Sequence, residues 1–386
     1  MKYRKLAADW LFDGYSLQSD KVLIIDTAGK VIEVVAREAS GEEVESFNGT
    51  LVPGFINCHC HLELSHLKGS IAPKKGLVEF LLSVIRLRKE KDDIQLKVAA
   101  MEAAEKEMYT NGIVAVADIA NTADTIAIKK NSRIQWHTLV EVLNLWDNNL
   151  EQALPRFLGV QQLYTQDGLN AVITPHAPYS VSIATLKAIN EATAGKMISV
   201  HNQETAPENE LFQTGTGKFL QFYEKLTGNH KSPFAVSGKS SLQTWLSYFT
   251  NGQTILLVHN TYIAEEDIVW AKEHAAAYGL HLIFCLCPNA NSYIEDQLPP
   301  VDLLIKHNCH VVVGTDSYSS NWHLSIAKEM AMLQQHYSHL SIATLLQWAT
   351  SNGAKAIGAN DLGRFEKGST PGVVLLQPDF SVQRLA

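Results

Sequence analysis

Residues 53–61 read Pro53-Gly54-Phe55-Ile56-Asn57-Cys58-His59-Cys60-His61, an apolar run that ends in two histidines one residue apart. On a strand, side chains two apart point to the same side, so both imidazoles converge at the strand's C-terminal end. Imidazole nitrogen suits zinc and iron(II), and barrels built from parallel strands carry their active sites at that end. Such a pair alone also fits two satisfied core or surface histidines. Its meaning depends on the rest of the chain.

Working outward, short apolar runs alternate with longer amphipathic or polar stretches, which is the α/β rhythm. The strand candidates are Leu51 to Asn57, Gly112 to Ile119, Trp136 to Val142, Leu169 to Thr174, Met197 to His201, Thr254 to Val258, Leu282 to Cys285 and His310 to Gly314. Eight such units meet the requirement of a (β/α)8 TIM-type barrel. Helical stretches between them include Ile94 to Met108 and Glu265 to Ala277, the latter with Glu265, Glu266 and Asp267 at the positive end of the helix dipole. The segment from Thr205 to Ser241 is an insertion after the fifth strand, placed beside the active-site end.

Four further strand ends present side chains of the kind found in sites. Thr174-Pro175-His176 closes the fourth, Ser199-Val200-His201-Asn202-Gln203-Glu204 the fifth, Leu257-Val258-His259-Asn260 the sixth, and Val313-Gly314-Thr315-Asp316 the eighth. Singly, His176 could cap a loop, His259 could bond a carbonyl and Asp316 could start a helix. Their repetition at one end of successive strands favours a common site.

The flanks differ. Residues 20–36 form two β-branched runs around Thr27-Ala28-Gly29-Lys30, a hairpin pattern. The C-terminal stretch from Gly368 has similar punctuation before Val373-Val374-Leu375-Leu376. Neither end holds enough strands to fold alone, so the two are expected to pair into one small β domain.

Composition bounds the function. Of 386 residues, 46% are hydrophobic and 19% charged, and 32 Lys+Arg against 40 Asp+Glu give a net charge of −8. That balance excludes a phosphate backbone or an anionic membrane as an expected partner. No apolar run reaches the roughly 18 to 20 residues of a membrane span, and Asp9 and Asp13 interrupt the N-terminus before a signal-peptide core forms, which reads as cytoplasmic. The five cysteines, Cys58, Cys60, Cys285, Cys287 and Cys309, do not resemble a disulfide framework. The apolar neighbours of the two CxC pairs suit buried thiols better than a cysteine zinc site.

The order of the first histidine pair, two later histidines and a final aspartate resembles the amidohydrolase superfamily of metal-dependent hydrolases, over nearly the whole chain. Pro53 to His61 looks like its first-strand motif, and Thr350-Ser351-Asn352-Gly353-Ala354-Lys355-Ala356-Ile357-Gly358 like its closing helix. His201 with Glu204, Cys287-Pro288-Asn289-Ala290-Asn291 and Gly314-Thr315-Asp316-Ser317 are similar to the branch that deaminates adenine-type, guanine and cytosine rings and dechlorinates triazines. The resemblance implies a barrel over 53–362 and a small β-sandwich made by 1–52 and 363–386. It implies His59, His61, His201 and Asp316 as metal ligands, Glu204 as proton carrier, His259 as the group polarising the attacking water, and His176 facing the substrate. The sequence departs from the family at Gly368-Ser369-Thr370-Pro371-Gly372, which stands where a Gly-Lys-x-Ala-Asp run is usual.

Three imidazoles and a carboxylate leave a divalent ion a position open for water, whose pKa falls to about 7 on zinc. The fourth strand contains no lysine to bridge two metals, so one ion is expected, zinc first and iron(II) as the alternative with this ligand set. Glu204, three residues past a ligand, can protonate a ring nitrogen while hydroxide attacks the neighbouring carbon, as a non-ligand glutamate does in zinc deaminases of unrelated fold. The expected enzyme is a hydrolase of C–N bonds other than peptide bonds. Its substrate is expected to be a small molecule, an adenine nucleoside derivative. His61-Leu62-Glu63-Leu64-Ser65 and Leu77 to Arg86 look similar to the aminodeoxyfutalosine deaminases and their S-adenosylhomocysteine and methylthioadenosine relatives, with Phe80 as a candidate substrate contact and Glu79, Arg86 and Arg88 as candidate polar contacts. The apolar stretch Phe80 to Ile85 equally suits a buried helix face. Competing readings are hydrolysis of guanine, cytosine, pterin or triazine substrates, and a silent barrel that keeps its metal. Apolar loop stretches would suit a homodimer.

Overall fold

The computed structural model of the chain describes residues 3–386. Gly54 divides the opening stretch into two strands that belong to different sheets, which corrects the single strand expected over Leu51 to Asn57. Thr50–Pro53 joins a terminal sheet, and Phe55–Cys60 begins the parallel system. The break requires glycine: its N–H donates to the Pro371 carbonyl at 3.0 Å, and a Cβ there would lie 2.2 Å from Val114 Cγ1. The atypical run Gly368 to Gly372 thus meets the chain at the entrance to the parallel system.

The parallel strands are β1 (Phe55–Cys60), β2 (Ile113–Ala120), β3 (Gln135–Val142), β4 (Asn170–Pro175), β5 (Met197–Asn202), β6 (Thr254–His259), β7 (His281–Leu286) and β8 (His310–Val313). They form two four-stranded sheets, ordered β1-β2-β3-β4 and β5-β6-β7-β8. Helices follow the strands, including Leu150–Gln166 after β3, Ile183–Ala192 after β4 and Glu265–Tyr278 after β6. Covered on both faces, strands such as β2 are buried throughout, which is why they read as unbroken apolar runs.

The sheets meet at both edges. Between β8 and β1, the N–H groups of Thr315 and Asp316 both donate to the His59 carbonyl at 3.0 Å, and Asn57 Nδ2 donates to Thr315 Oγ1 at 2.8 Å. Between β4 and β5, the Ser199 N–H donates to Thr174 Oγ1 at 2.7 Å and the His201 N–H to the His176 carbonyl at 3.0 Å. One apolar cluster joins Ile56 and Cys58 of β1 with Leu139 of β3, Leu256 and Val258 of β6, Cys285 of β7 and Val312 of β8. All the cysteines are free, and Cys58 and Cys285 are core thiols here.

The two chain ends do pair: Val373–Leu376 runs antiparallel to Thr50–Pro53. The hairpin over 20–36 forms as read, with Gly29 at φ +80° and Asp26 Oδ1 accepting from the N–H groups of Ala28 and Lys30. The insertion after β5 folds into the helices Ala206–Thr214 and Phe219–Thr227, the second packing Phe219 on the Tyr179 ring at 4.4 Å between centroids. No helix of the described residues is long and apolar enough to cross a membrane.

Candidate metal centre and active site

His59 sits on β1, His61 just beyond it, His201 on β5 and Asp316 just past β8. Their donor atoms converge. His61 Nε2 lies 3.2 Å from His59 Nε2, 3.3 Å from His201 Nε2 and 3.3 Å from Asp316 Oδ1, while His59 Nε2 lies 3.5 Å from Asp316 Oδ1. A tetrahedral ion with bonds of about 2.0–2.1 Å sets its ligands about 3.3 Å apart, so these spacings fit a divalent cation at their centre. The His201 Nδ1–H donates to the His176 carbonyl at 2.8 Å, which leaves the Nε2 lone pair facing inward. Burial, reinforced by neighbouring imidazoles, pushes the pKa values of His59, His61 and His201 below the usual histidine range. Neutral imidazole is the form that binds metal.

Local sequence builds this convergence. Gly314 lets β8 approach β1 closely, since a Cβ there would lie 2.8 Å from both the nitrogen and the Cβ of His59. His259 and Asp316 adopt φ values of +76° and +56°, conformations that cost other residues about 1–3 kcal/mol and cluster at functional sites. A chain of amides steadies the Asp316 loop: Asn321 Nδ2 donates to the Thr315 carbonyl at 2.7 Å and to Glu329 Oε1 at 2.8 Å, and Glu329 Oε2 accepts from the Asn289 N–H.

Beside the donors, His259 Nε2 has no hydrogen-bond partner and lies 3.6 Å from Glu204 Oε1. Burial, then the charge of Asp316, raises the Glu204 pKa well above the carboxylate range. His176 is pushed down to about 4 by burial, so it is neutral at physiological pH. The cavity over the donors is lined by His176, Phe80, Leu81, Val84, Ile85, Leu143 and Phe222 among others, with Glu204, His259 and Asp316 at its floor. Of the four contacts read from the helix Leu77–Glu90, Phe80 and Arg88 line this cavity, while Arg86 and the exposed Glu79 lie outside its lining.

Sequence reading missed Glu141, Asn121, Tyr179 and Phe222, all in the lining. Glu141 had a legible signal, a carboxylate in the apolar C-terminal half of β3. Phe222 had none beyond its place in the insertion.

The amidohydrolase family profile matches residues 50–385, and the chain belongs to that family. It is 27% identical over 375 residues to the 5-methylthioadenosine/S-adenosylhomocysteine deaminase of Saccharophagus degradans, covering 92% of this chain and 77% of the relative. It is 26% identical to the aminodeoxyfutalosine deaminase of Nitratiruptor sp., over 80% of this chain and 73% of the relative. Its fold is that of the crystal structure of Helicobacter pylori aminofutalosine deaminase in complex with methylthio-coformycin, with a TM-score of 0.79, 22% identity, and 97% and 92% of the two chains covered.

Proposed function

We propose that this chain is a hydrolase that deaminates the adenine ring of a nucleoside derivative, using one divalent ion held by His59, His61, His201 and Asp316. The observation that carries the reading is the placement of Glu204 and His259, 3.6 Å apart and buried, beside four convergent donors at the floor of a largely apolar cavity. A structural metal needs neither residue. Relatives along most of the chain act on adenine nucleosides by name, which selects this chemistry over guanine, cytosine, pterin or triazine hydrolysis.

The division of labour follows from environment. A bound divalent cation supplies Lewis acidity that brings the pKa of water near neutrality. His259 Nε2, without a protein partner, orients the attacking water, and Asp316 accepts its proton. Glu204, whose hold on a proton burial strengthens, delivers a proton to the ring nitrogen as oxygen adds to the neighbouring carbon. His176 holds the ring from the β4 side, with Phe80 packing on its apolar surface. The proton taken by Asp316 then passes to the amino nitrogen, the C–N bond breaks and ammonia departs, and the proton left on the added oxygen returns to Glu204. A single ion is favoured because β4 carries no lysine and because the His201 Nδ1 proton is already committed to the His176 carbonyl, so the nearby Glu141–His176–His201 group lacks a third free donor. Zinc suits the nitrogen and oxygen donors, and iron(II) would as well.

The fold belongs to the same proposal. The hydrogen-bonded seams and the shared inner cluster support closure of the two sheets into a (β/α)8 barrel over 53–362. Leu6, Leu23 and Ile25 pack with Leu51, Val373 and Leu375 across the terminal sheets, which supports a β-sandwich of 1–52 and 363–386. Ammonia release across methylthioadenosine, S-adenosylhomocysteine, 5′-deoxyadenosine, adenosine, guanine, cytosine and a pterin tests the reading. Turnover confined to the adenosine group is expected; turnover confined to the others would refute it.

A further inference from the structure

The side chains of Asp118 and Lys129 are both closed to solvent, and Lys129 Nζ lies 2.6 Å from Asp118 Oδ2 in a buried ion pair. Asp118 stands on β2, and Lys129 on the short helix Ile126–Asn131 that follows it. Lys129 Nζ also donates to Thr138 Oγ1 at 2.9 Å and sits 4.9 Å from the centre of the Tyr164 ring, so the cation is held by a carboxylate, a hydroxyl and an aromatic face. Neither residue lines the active-site cavity. Such a pair is a poor source of stability, because desolvating two charges offsets their attraction and apolar side chains of similar volume often do as well. Its use lies in what the carboxylate holds.

Asp118 Oδ1 accepts from the Leu62 N–H at 2.8 Å. That amide belongs to the peptide joining His61 to Leu62, whose carbonyl accepts from the Leu64 N–H at 3.1 Å. Both polar groups of the peptide plane beside the His61 Cα are therefore fixed, one by a local turn and the other by Asp118. The ladder between β1 and β2 cannot fix it. Asn57 pairs with Val116 and Cys60 with Asp118, so β1 carries one residue more than β2 between the two pairs and bulges over Cys58 and His59. A bulge re-aims side chains and disrupts regular pairing. The His59 N–H accordingly donates to Asn57 Oδ1 at 3.3 Å, a side chain in place of a strand partner. Past the bulge, the side chain of β2 rather than its backbone catches the chain. Lys129, by engaging Oδ2, leaves Oδ1 aimed at Leu62.

We propose that the buried Asp118–Lys129 pair is the positioning device that fixes His61 at the metal: Lys129 aims the carboxylate, and the carboxylate locks the peptide plane from which the His61 imidazole extends. This inference rests on His61 being a metal ligand. Its test compares two double variants that leave no unpaired charge and differ only in whether position 118 keeps an acceptor, Asp118→Leu with Lys129→Met and Asp118→Asn with Lys129→Met. Each full-length protein is titrated with zinc against a chromophoric chelator, and the visible spectrum of its cobalt(II) form reports the ligand geometry. The leucine variant is expected to bind zinc about 10–100-fold more weakly than the parent, the cost of losing an outer-shell partner, and the asparagine variant within about threefold of it. The cobalt spectrum should change in the leucine variant alone. Parent-like affinity and spectrum in the leucine variant overturn the proposal, and so does an equal loss in both variants, which marks a structural role for the pair. Where the leucine variant does not fold, hydrogen exchange at the Leu62 amide of the zinc-loaded parent decides: protection like that of Val116 in β2 supports the lock, and exchange as fast as at the exposed Gly69 removes it. If the parent takes up no zinc, the metal assignment fails and this inference with it; tight zinc binding that ignores position 118 sinks the inference alone.

Discussion

His61 Nε2 and Asp316 Oδ1 face each other at 3.3 Å across the seam where β1 meets β8. The proposed metal centre would thus be built across a join between two sheets, and anything that opens the join would disperse its four donors. His61→Ala and Asp316→Ala should each lower bound metal, measured by plasma emission, to well below one ion per chain. Activity should fall by more than about a hundredfold, because loss even of an outer-shell partner costs 10–100-fold. Full metal occupancy in either variant would contradict the assignment.

Gly314 tests the same seam from the backbone side. In Gly314→Ala the new Cβ meets His59 at 2.8 Å, so the strands must separate. A loss of about 1–3 kcal/mol in denaturant unfolding is expected, with weaker metal retention. An unchanged midpoint would show that the close approach is dispensable.

Glu204 and the metal are separable. Glu204→Gln keeps the shape of the side chain and touches no ligand set, so the metal content should remain that of the parent while kcat drops about 10²–10⁴-fold. A variant that retains full kcat removes the proton-transfer role.

The helix Leu77–Glu90 offers a paired comparison. Phe80 lines the cavity and Glu79 faces outward. Phe80→Ala should raise KM for an adenosine derivative several-fold, whereas Glu79→Ala should leave KM and stability within about 0.5 kcal/mol of the parent. The reverse pattern would restore Glu79 as a substrate contact and displace Phe80.

Buried carboxyls set a pH dependence of stability. Burial raises Glu329 to about 8, above the ordinary value of 4.5. The unfolded chain therefore releases this proton at lower pH than the folded one. The contribution of Glu329 is fully present below about pH 4.5 and is lost as pH rises through 8. Glu208, raised to about 7, acts in the same direction over a narrower window. Unfolding free energy measured from pH 5 to 9 should fall less steeply in Glu329→Gln than in the parent; parallel curves would show that Glu329 titrates normally.

Much of this was legible in the residues. The converging donors were readable at strand ends because apolar runs buried on both faces announce parallel strands, and His59, His61, His201 and Asp316 each sit at the close of such a run. Legibility failed where spatial approach decides structure. Nothing local in Leu51 to Asn57 shows that Gly54 must pass Val114, so one strand was read where two exist. Glu79 and Phe80 are adjacent, and only the packing of their helix tells which one faces the cavity. Glu141 was overlooked because a lone carboxylate in an apolar strand resembles a satisfied core charge until its unpaired Oε1 is seen.

Anomalous diffraction from crystals grown with zinc bears most directly on the whole scheme. The account predicts one strong peak per chain, about 2.0–2.2 Å from the Nε2 atoms of His59, His61 and His201 and from Asp316 Oδ1. An absent peak, or a second of equal height between Glu141 and His176, would contradict it.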